Sequence, residues 1–213
     1  MERALHDQNL SARATAKGEK MFIEYEPVTR GTGYAAPAVQ LEFGARSTGE
    51  PSETRKIGCD AQAQLPSLGF PAAIVRAMRP ERTFWEKATA IHVFCAQGEF
   101  RGADRFARHW HDISRLDDAG YADRALADRR LARAVAEHKS AFFREKGRDD
   151  GEVDYLAAVS GRLDLVPQGR ALDKLAEDYE RMLQDGLLLD DAEPFNNLLD
   201  RCQAIQAKAN ALG

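Results

Sequence analysis

Apolar and polar side chains alternate with a period of two along MFIEYE (21–26) and PAVQLEFG (37–44), as in strands with one face on a core and one in water. Between them VTRGTGYAA places two glycines in a short polar stretch, which predicts a hairpin loop and antiparallel pairing. RSTGEPSE reads as a loop, and KIGCDAQAQLPSL (56–68) as a further short strand ending at Pro66. From residue 80 the period becomes helical. Pro80 marks a start, Phe84, Ala88, Ile91 and Cys95 recur at three and four, and the helix should stop near Gly98. A second helix is predicted over 103–117, with Phe106, Trp110, Ile113 and Leu116 on one stripe before Gly120. A third covers 123–143, and two more lie near 170–184 and 193–211. The fold class is therefore α+β, a short antiparallel sheet from the N-terminal part followed by a helical C-terminal half.

Composition narrows the function classes. The 213 residues suffice for one good-sized domain, or for a core with an appended helical subdomain. They are 44% hydrophobic and 30% charged, with no apolar run approaching the roughly 18 residues a membrane span needs. The first twenty residues alternate charge with small side chains and lack the apolar core of a signal peptide, so a cytoplasmic location is expected. Cys59, Cys95 and Cys202 are widely separated and have no metal-ligand spacing. A net charge of −4 argues against wholesale binding of nucleic acid, but charge is locally concentrated. Residues 101–115 hold four arginines and two histidines against two acids, a patch suited to one phosphate group or a nucleic-acid end.

The chemistry-bearing residues cluster on the first two predicted helices. Thr83, Lys87, Ala90 and Ile91 share one side of the first, and Arg82, Trp85, Glu86 and Thr89 the neighbouring side. On the second, Arg105, Arg108, His109 and Asp112 lie opposite the Trp110 stripe. Antiparallel packing across a short connection would bring Lys87 within reach of Asp112 and the Arg108/His109 pair. A lysine, an arginine and an acid converging in a groove form a phosphate-handling set. The plainer alternative is a solvated face, with surface pairs worth about 0.3–0.5 kcal/mol each. Arg105 and Arg108 equally suit substrate phosphate or structural ties to Asp104 and Asp112. Trp85 and Trp110 are placed for core packing, with stacking on a base as the alternative. No GxSxG, HExxH, GxGxxG or Walker loop is present, and RGTGY lacks the helix that would make it a phosphate cradle.

Four segments in order, RTFWEKATAIH (82–92), RHWHD (108–112), LDLVP (163–167) and DYERML (178–183), resemble the AbiEii/AbiGii toxin family of nucleotidyltransferase-like proteins, from about residue 20 to the end. The resemblance implies a partial nucleotidyltransferase fold, with residues 1–79 as the remnant of its α/β part and 80–213 as a helical domain. It implies a toxin of a toxin–antitoxin or abortive-infection system that transfers a nucleotide from a nucleoside triphosphate, with Mg2+, to an RNA acceptor such as tRNA. It places the triphosphate contact on Lys87 and the orientation of acceptor or nucleotide on Asp112. Arg82, Arg105, Arg108 and His109 become phosphate contacts, and Glu42 in LEFGARS the weaker candidate for a third acid, against the reading of a solvent-facing residue in an amphipathic strand.

The departures from the family pattern are specific. A Gly-Ser or Gly-Gly-Thr helix start and an Asp-x-Asp strand are absent; the early acids are Glu2, Asp7, Glu19, Glu24 and Glu26, with one spaced pair in IEYEP. No residue is therefore assigned to a metal. The expectation is a chain that begins after the metal-binding half, is inactive alone, and is completed by an upstream-encoded half or accompanied by a cognate antitoxin. The competing expectation is a non-catalytic interaction module, binding a partner protein or RNA through exposed sheet edges.

Overall fold

A computed structural model of the chain describes residues 12–27, 36–44, 46, 48–98, 105–188 and 192–213. Five strands precede seven helices among these residues, an α+β arrangement. Strands β1 (Ala12–Lys17), β2 (Lys20–Tyr25) and β3 (Ala38–Glu42) form an antiparallel sheet in that order. β4 (Ser52–Ile57) and β5 (Ala73–Met78) form a separate antiparallel pair. The helices are α1 (Pro80–Gln97), α2 (Arg108–Asp118), α3 (Tyr121–Ala127), α4 (Arg129–Phe142), α5 (Tyr155–Ala158), α6 (Arg170–Gln184) and α7 (Phe195–Ala211).

The sheets follow the sequence pattern in part. β2 and β3 pair antiparallel as their alternation predicts, with Phe22 opposite Gln40; the connecting residues 28–35 lie outside the described ones. β1, ARATAK, alternates alanine with polar residues, but alanine is a weak strand former and the segment is left unassigned in the sequence; it pairs with β2 through a two-residue turn whose first position, Gly18, has φ +60°, a conformation open to glycine. KIGCDAQAQLPSL is not a strand: β4 ends at Ile57, and Asp60–Gln62 form a single 3₁₀ turn. The strand instead begins inside the predicted RSTGEPSE loop, because Ser52 to Ile57 find a partner in β5, a segment the pattern leaves unassigned. Pairing with a distant strand, not local alternation, makes these residues extended.

Burial is confined to the helical half: every buried residue among those described lies between Glu81 and Ala209. α1 is its axis and packs against α2, α3, α4 and α5. Phe94 stacks on Phe106 and meets the Trp110 ring edge-on, while Lys87, two turns earlier, meets Asp112, so α1 and α2 run antiparallel as expected. Trp85 and Trp110 are core residues at 1% and 0% exposure, their indole N–H groups donating to the Ala125 and Leu165 carbonyls.

Two helix boundaries differ from the periodic reading. α2 begins at Arg108, not 103; residues 105–107 form a turn in which Arg105 has φ +70°, and 103–104 lie outside the described residues. The predicted helix 123–143 is two, broken at Asp128, whose ψ of 77° leaves the helical region while its carboxylate accepts the Leu131 N–H at the start of α4.

LDLVP is an extended strip whose backbone is satisfied by side chains. Leu163 N–H donates to Asn210 Oδ1, and Asn210 Nδ2 donates back to the Leu163 carbonyl. Asp164 N–H donates to His92 Nδ1, and Leu165 N–H to Gln206 Oε1. Leu163 is wholly buried, so truncating Asn210 strands two polar backbone groups. We expect Asn210→Ala to lower the unfolding free energy by about 2 kcal/mol in urea denaturation; a loss under about 0.5 kcal/mol would show that the strip is held by its leucines alone.

Candidate functional site

The α1–α2 crossing brings together three of the residues singled out in the sequence. Lys87 Nζ lies 2.5 Å from Asp112 Oδ2 and 3.5 Å from His109 Nδ1. An ammonium only donates, so His109 Nδ1 is the acceptor and the ring is neutral in this arrangement. The imidazole stands edge-on to Phe106 at 4.8 Å, within the packing that holds Trp110. Its pKa is pushed down to about 4, first by burial and then by the Lys87 and Arg108 cations, with Asp112 opposing. Lys87 and Asp112 keep 23% and 37% of their side-chain surface in solvent, so the pair faces an opening and its net worth is about 1 kcal/mol or less.

The next residue on α1 makes the complementary arrangement. Glu86 accepts from Lys139 of α4 at 2.6 Å and from Arg82, one turn earlier, at 2.9 Å. Burial raises its pKa, but Lys139 and Arg82 together outweigh burial and hold it below the usual carboxylate value. Lys139 also lies over the Phe143 ring, 4.5 Å from its centroid. Beyond this pair a cavity of about 360 Å³ opens along α1, walled by Ala90, Val93, Phe106, Lys139 and Phe143.

The other predicted residues are placed differently. Arg82 is 4% exposed, and its guanidinium is spent on Glu86 and on the Glu50 carbonyl, which ties the approach to β4 onto α1. Arg108 is exposed, with Nη1 donating to the Arg105 carbonyl at 2.6 Å. Arg105 is exposed in the turn before α2. Glu42 sits on β3, exposed, 3.7 Å from Lys20 of the same sheet. Lys139 and Glu86 were not picked out as partners by the sequence, since no spacing rule relates α4 to α1.

The described residues gather no site for a divalent cation. Among the described residues no three His, Cys, Asp or Glu side chains converge, and the carboxylate facing Lys87 is already held by its ammonium. No helix among the described residues is long and apolar enough to cross a membrane.

The arrangement can therefore bind an anion beside a carboxylate and a neutral imidazole, a combination suited to a phosphate ester and a hydroxyl. The sequence model of one protein family, described as nucleotidyl transferase AbiEii toxin, type IV toxin–antitoxin system, matches residues 2–201. No curated protein and no solved structure matches the chain significantly.

His109 links this site to pH. Its pKa in the folded chain, about 4, lies below the ordinary 6.5, so between these values the unfolded chain binds the extra proton. The stability tied to a neutral His109 is thus complete above pH 6.5 and declines as pH falls toward 4, by up to about 3 kcal/mol. We expect His109→Gln to flatten that part of the urea stability curve; parallel curves for the two proteins would show that the imidazole titrates normally.

Proposed function

The chain belongs to the AbiEii nucleotidyl transferase toxin family of type IV toxin–antitoxin systems, and from that premise we propose that the Lys87–Asp112 groove is its nucleoside-triphosphate site. The observation that carries the reading is the convergence of Lys87, Asp112 and a neutral His109 on one open crossing of α1 and α2. A triphosphate reaching the groove competes with Asp112 for the ammonium and offers it more charge. Asp112, released by that exchange, is then the group nearest to accept a hydrogen bond from an incoming hydroxyl. In the proposed reaction the hydroxyl is that of an RNA acceptor such as the 3′ end of tRNA, the nucleotide is transferred to it and pyrophosphate leaves. Arg108, exposed on α2, is the second cation for phosphate oxygens, and Arg105 the third.

Nucleotidyl transfer of this family is paired with Mg2+, which neutralises charge on the triphosphate. No Asp-x-Asp pair occurs in the sequence, and no step is assigned here to a metal-bound group. The expected behaviour of these 213 residues by themselves is triphosphate binding without transfer, the transfer step drawing on metal-holding carboxylates outside them. Its location is proposed to be the cytoplasm, and its partner the cognate antitoxin of the system.

A second reading, an interaction module, is favoured by one observation: Ile74, Phe43 and Val39 on or beside the sheets are 77%, 61% and 51% exposed. Sedimentation separates the two, because a concentration-dependent dimer abolished by Val39→Lys supports association through the sheet, whereas a monomer at all concentrations removes this reading's support.

The site itself is tested by calorimetric titration of the 213-residue chain with CTP, UTP, ATP and GTP, each with magnesium. We expect binding of at least one, weakened about 10- to 100-fold in Lys87→Ala, the loss of one charge-assisted contact. Equal binding by the variant would remove Lys87 from the site, and no binding to any triphosphate would sink the nucleotide reading.

A further inference from the structure

Asp178, the first residue of the DYERML segment, is a carboxylate with 0% exposure in the middle of α6. Both of its oxygens are committed to backbone amides more than seventy residues away. Oδ1 accepts the Arg105 N–H at 2.9 Å and Oδ2 accepts the Ala107 N–H at 2.8 Å. Arg181, one turn on, lies 3.5 Å from Oδ1. Nothing in the Lys87 groove described above uses this buried charge.

The two amides belong to the turn that leads into α2: Ala107 is the residue before its first helical position, and Arg105 lies two residues further back. No side chain caps the start of α2 locally, and Ala107 has no side-chain acceptor to do so. Asp178, from another helix, holds the turn instead. It also places negative charge at the positive end of α2 and holds Arg105 at φ +70°, a backbone region that a non-glycine residue enters only when its surroundings hold it there.

The consequence falls on the groove. His109 and Asp112 follow Ala107 by two and five residues, within the first turns of α2. Successive residues on a helix are turned by about 100°, so a slip of one residue at this start carries Asp112 off the face that meets Lys87. We propose that Asp178 is the positioning residue of the Lys87 groove: from α6 it ties down the turn that enters α2 and so fixes the register in which His109 and Asp112 meet Lys87. The geometric part stands by itself; only the consequence for ligand binding rests on the nucleotide reading above.

The test pairs Asp178→Asn, which keeps the shape and removes the charge, with Leu175→Ala, which removes buried volume from the same helix and keeps the carboxylate. NMR titration of His109 reads the register, because burial and the adjacent Lys87 hold that ring at about 4. Asp178→Asn should move His109 upward by at least one pH unit, while Leu175→Ala leaves it in place despite its own loss of stability. His109 unmoved in Asp178→Asn, or moved equally in both variants, overturns the proposal. Hydrogen exchange in the unaltered protein needs no variant to fold: the Arg105 and Ala107 amides should be as protected as those inside α6, and free exchange at both overturns it as well. Calorimetry with the triphosphates adds the functional arm, with at least a tenfold loss expected in Asp178→Asn and none in Leu175→Ala. Should the unaltered chain bind no triphosphate, the nucleotide reading falls while the His109 titration still decides the role of Asp178.

Discussion

The near-complete enclosure of α1 governs the rest of the molecule. Ten of its eighteen residues are buried, and they lie around most of its circumference: Phe84, Trp85, Ala88, Ile91, Phe94 and Cys95 fill the core, and Glu81, Arg82, Thr89 and His92 are buried with them. A helix enclosed in this way must satisfy its polar groups within the protein. Thr89 turns its hydroxyl back to the Trp85 carbonyl, Arg82 spans Glu86 and the Glu50 carbonyl, and His92 accepts the Asp164 N–H. Burial lowers the His92 pKa, with Asp164 and Asp154 opposing, which keeps Nδ1 available as that acceptor. What remains open on α1 is a narrow strip carrying Glu86, Lys87 and Ala90, and every chemical possibility of the helix is confined to it.

The same enclosure accounts for the contrast between the two parts of the chain. The helical half contains all of the buried residues among those described, whereas the β4–β5 ribbon is joined to it by backbone-directed bonds: Arg79 N–H to the Pro51 carbonyl, and Arg82 to the Glu50 carbonyl. From the segment after β3, Arg46 lies over the Phe143 ring, 5.2 Å from its centroid. A two-stranded ribbon has little stability of its own, so its persistence depends on these ties and on whatever covers Ile57 and Ile74. The cations that the sequence marks on α1 thus divide by role: Arg82 holds the ribbon, together with the backbone N–H of Arg79, and Lys87, between one and two turns beyond Arg82, is left for the groove.

Much of this was legible in the sequence, for identifiable reasons. α1 and α6 match their periodic patterns almost to the residue because Pro80 and Gly98 bracket the first, and an uninterrupted amphipathic run defines the second. The Lys87–Asp112 meeting followed from antiparallel packing of two helices joined by a short connection, a geometric consequence that needs no contact information. What escaped the sequence depends on long-range partners. β4 and β5 are extended because they pair with each other across sixteen or so residues, and the turn before α2 is held by a carboxylate on α6 that accepts the Arg105 and Ala107 amides. LDLVP was visible as a motif but not as a strip without a sheet, since Asn210, Gln206 and His92 come from two helices far away in sequence.

The electrostatics of the groove sharpen what can occupy it. In the free chain Lys87 is neutralised by Asp112 and borders an imidazole that burial keeps uncharged near neutral pH, while Glu86 is neutralised on the other side by Lys139 and Arg82. The strip therefore carries one net positive charge, Lys87, Lys139 and Arg82 against Asp112 and Glu86, and a singly charged anion would gain little by displacing Asp112 from Lys87. A polyphosphate gains more, because it offers several negative charges to a lysine that then trades one carboxylate for them, with Arg108 exposed nearby to follow. On the proposed reading the displaced Asp112 would stay on α2 within one helical turn of His109, so an anion that took the lysine would also uncover an acceptor pair. Selectivity for highly charged phosphate over simple anions would then arise from the competition itself, in a chain whose net charge is −4.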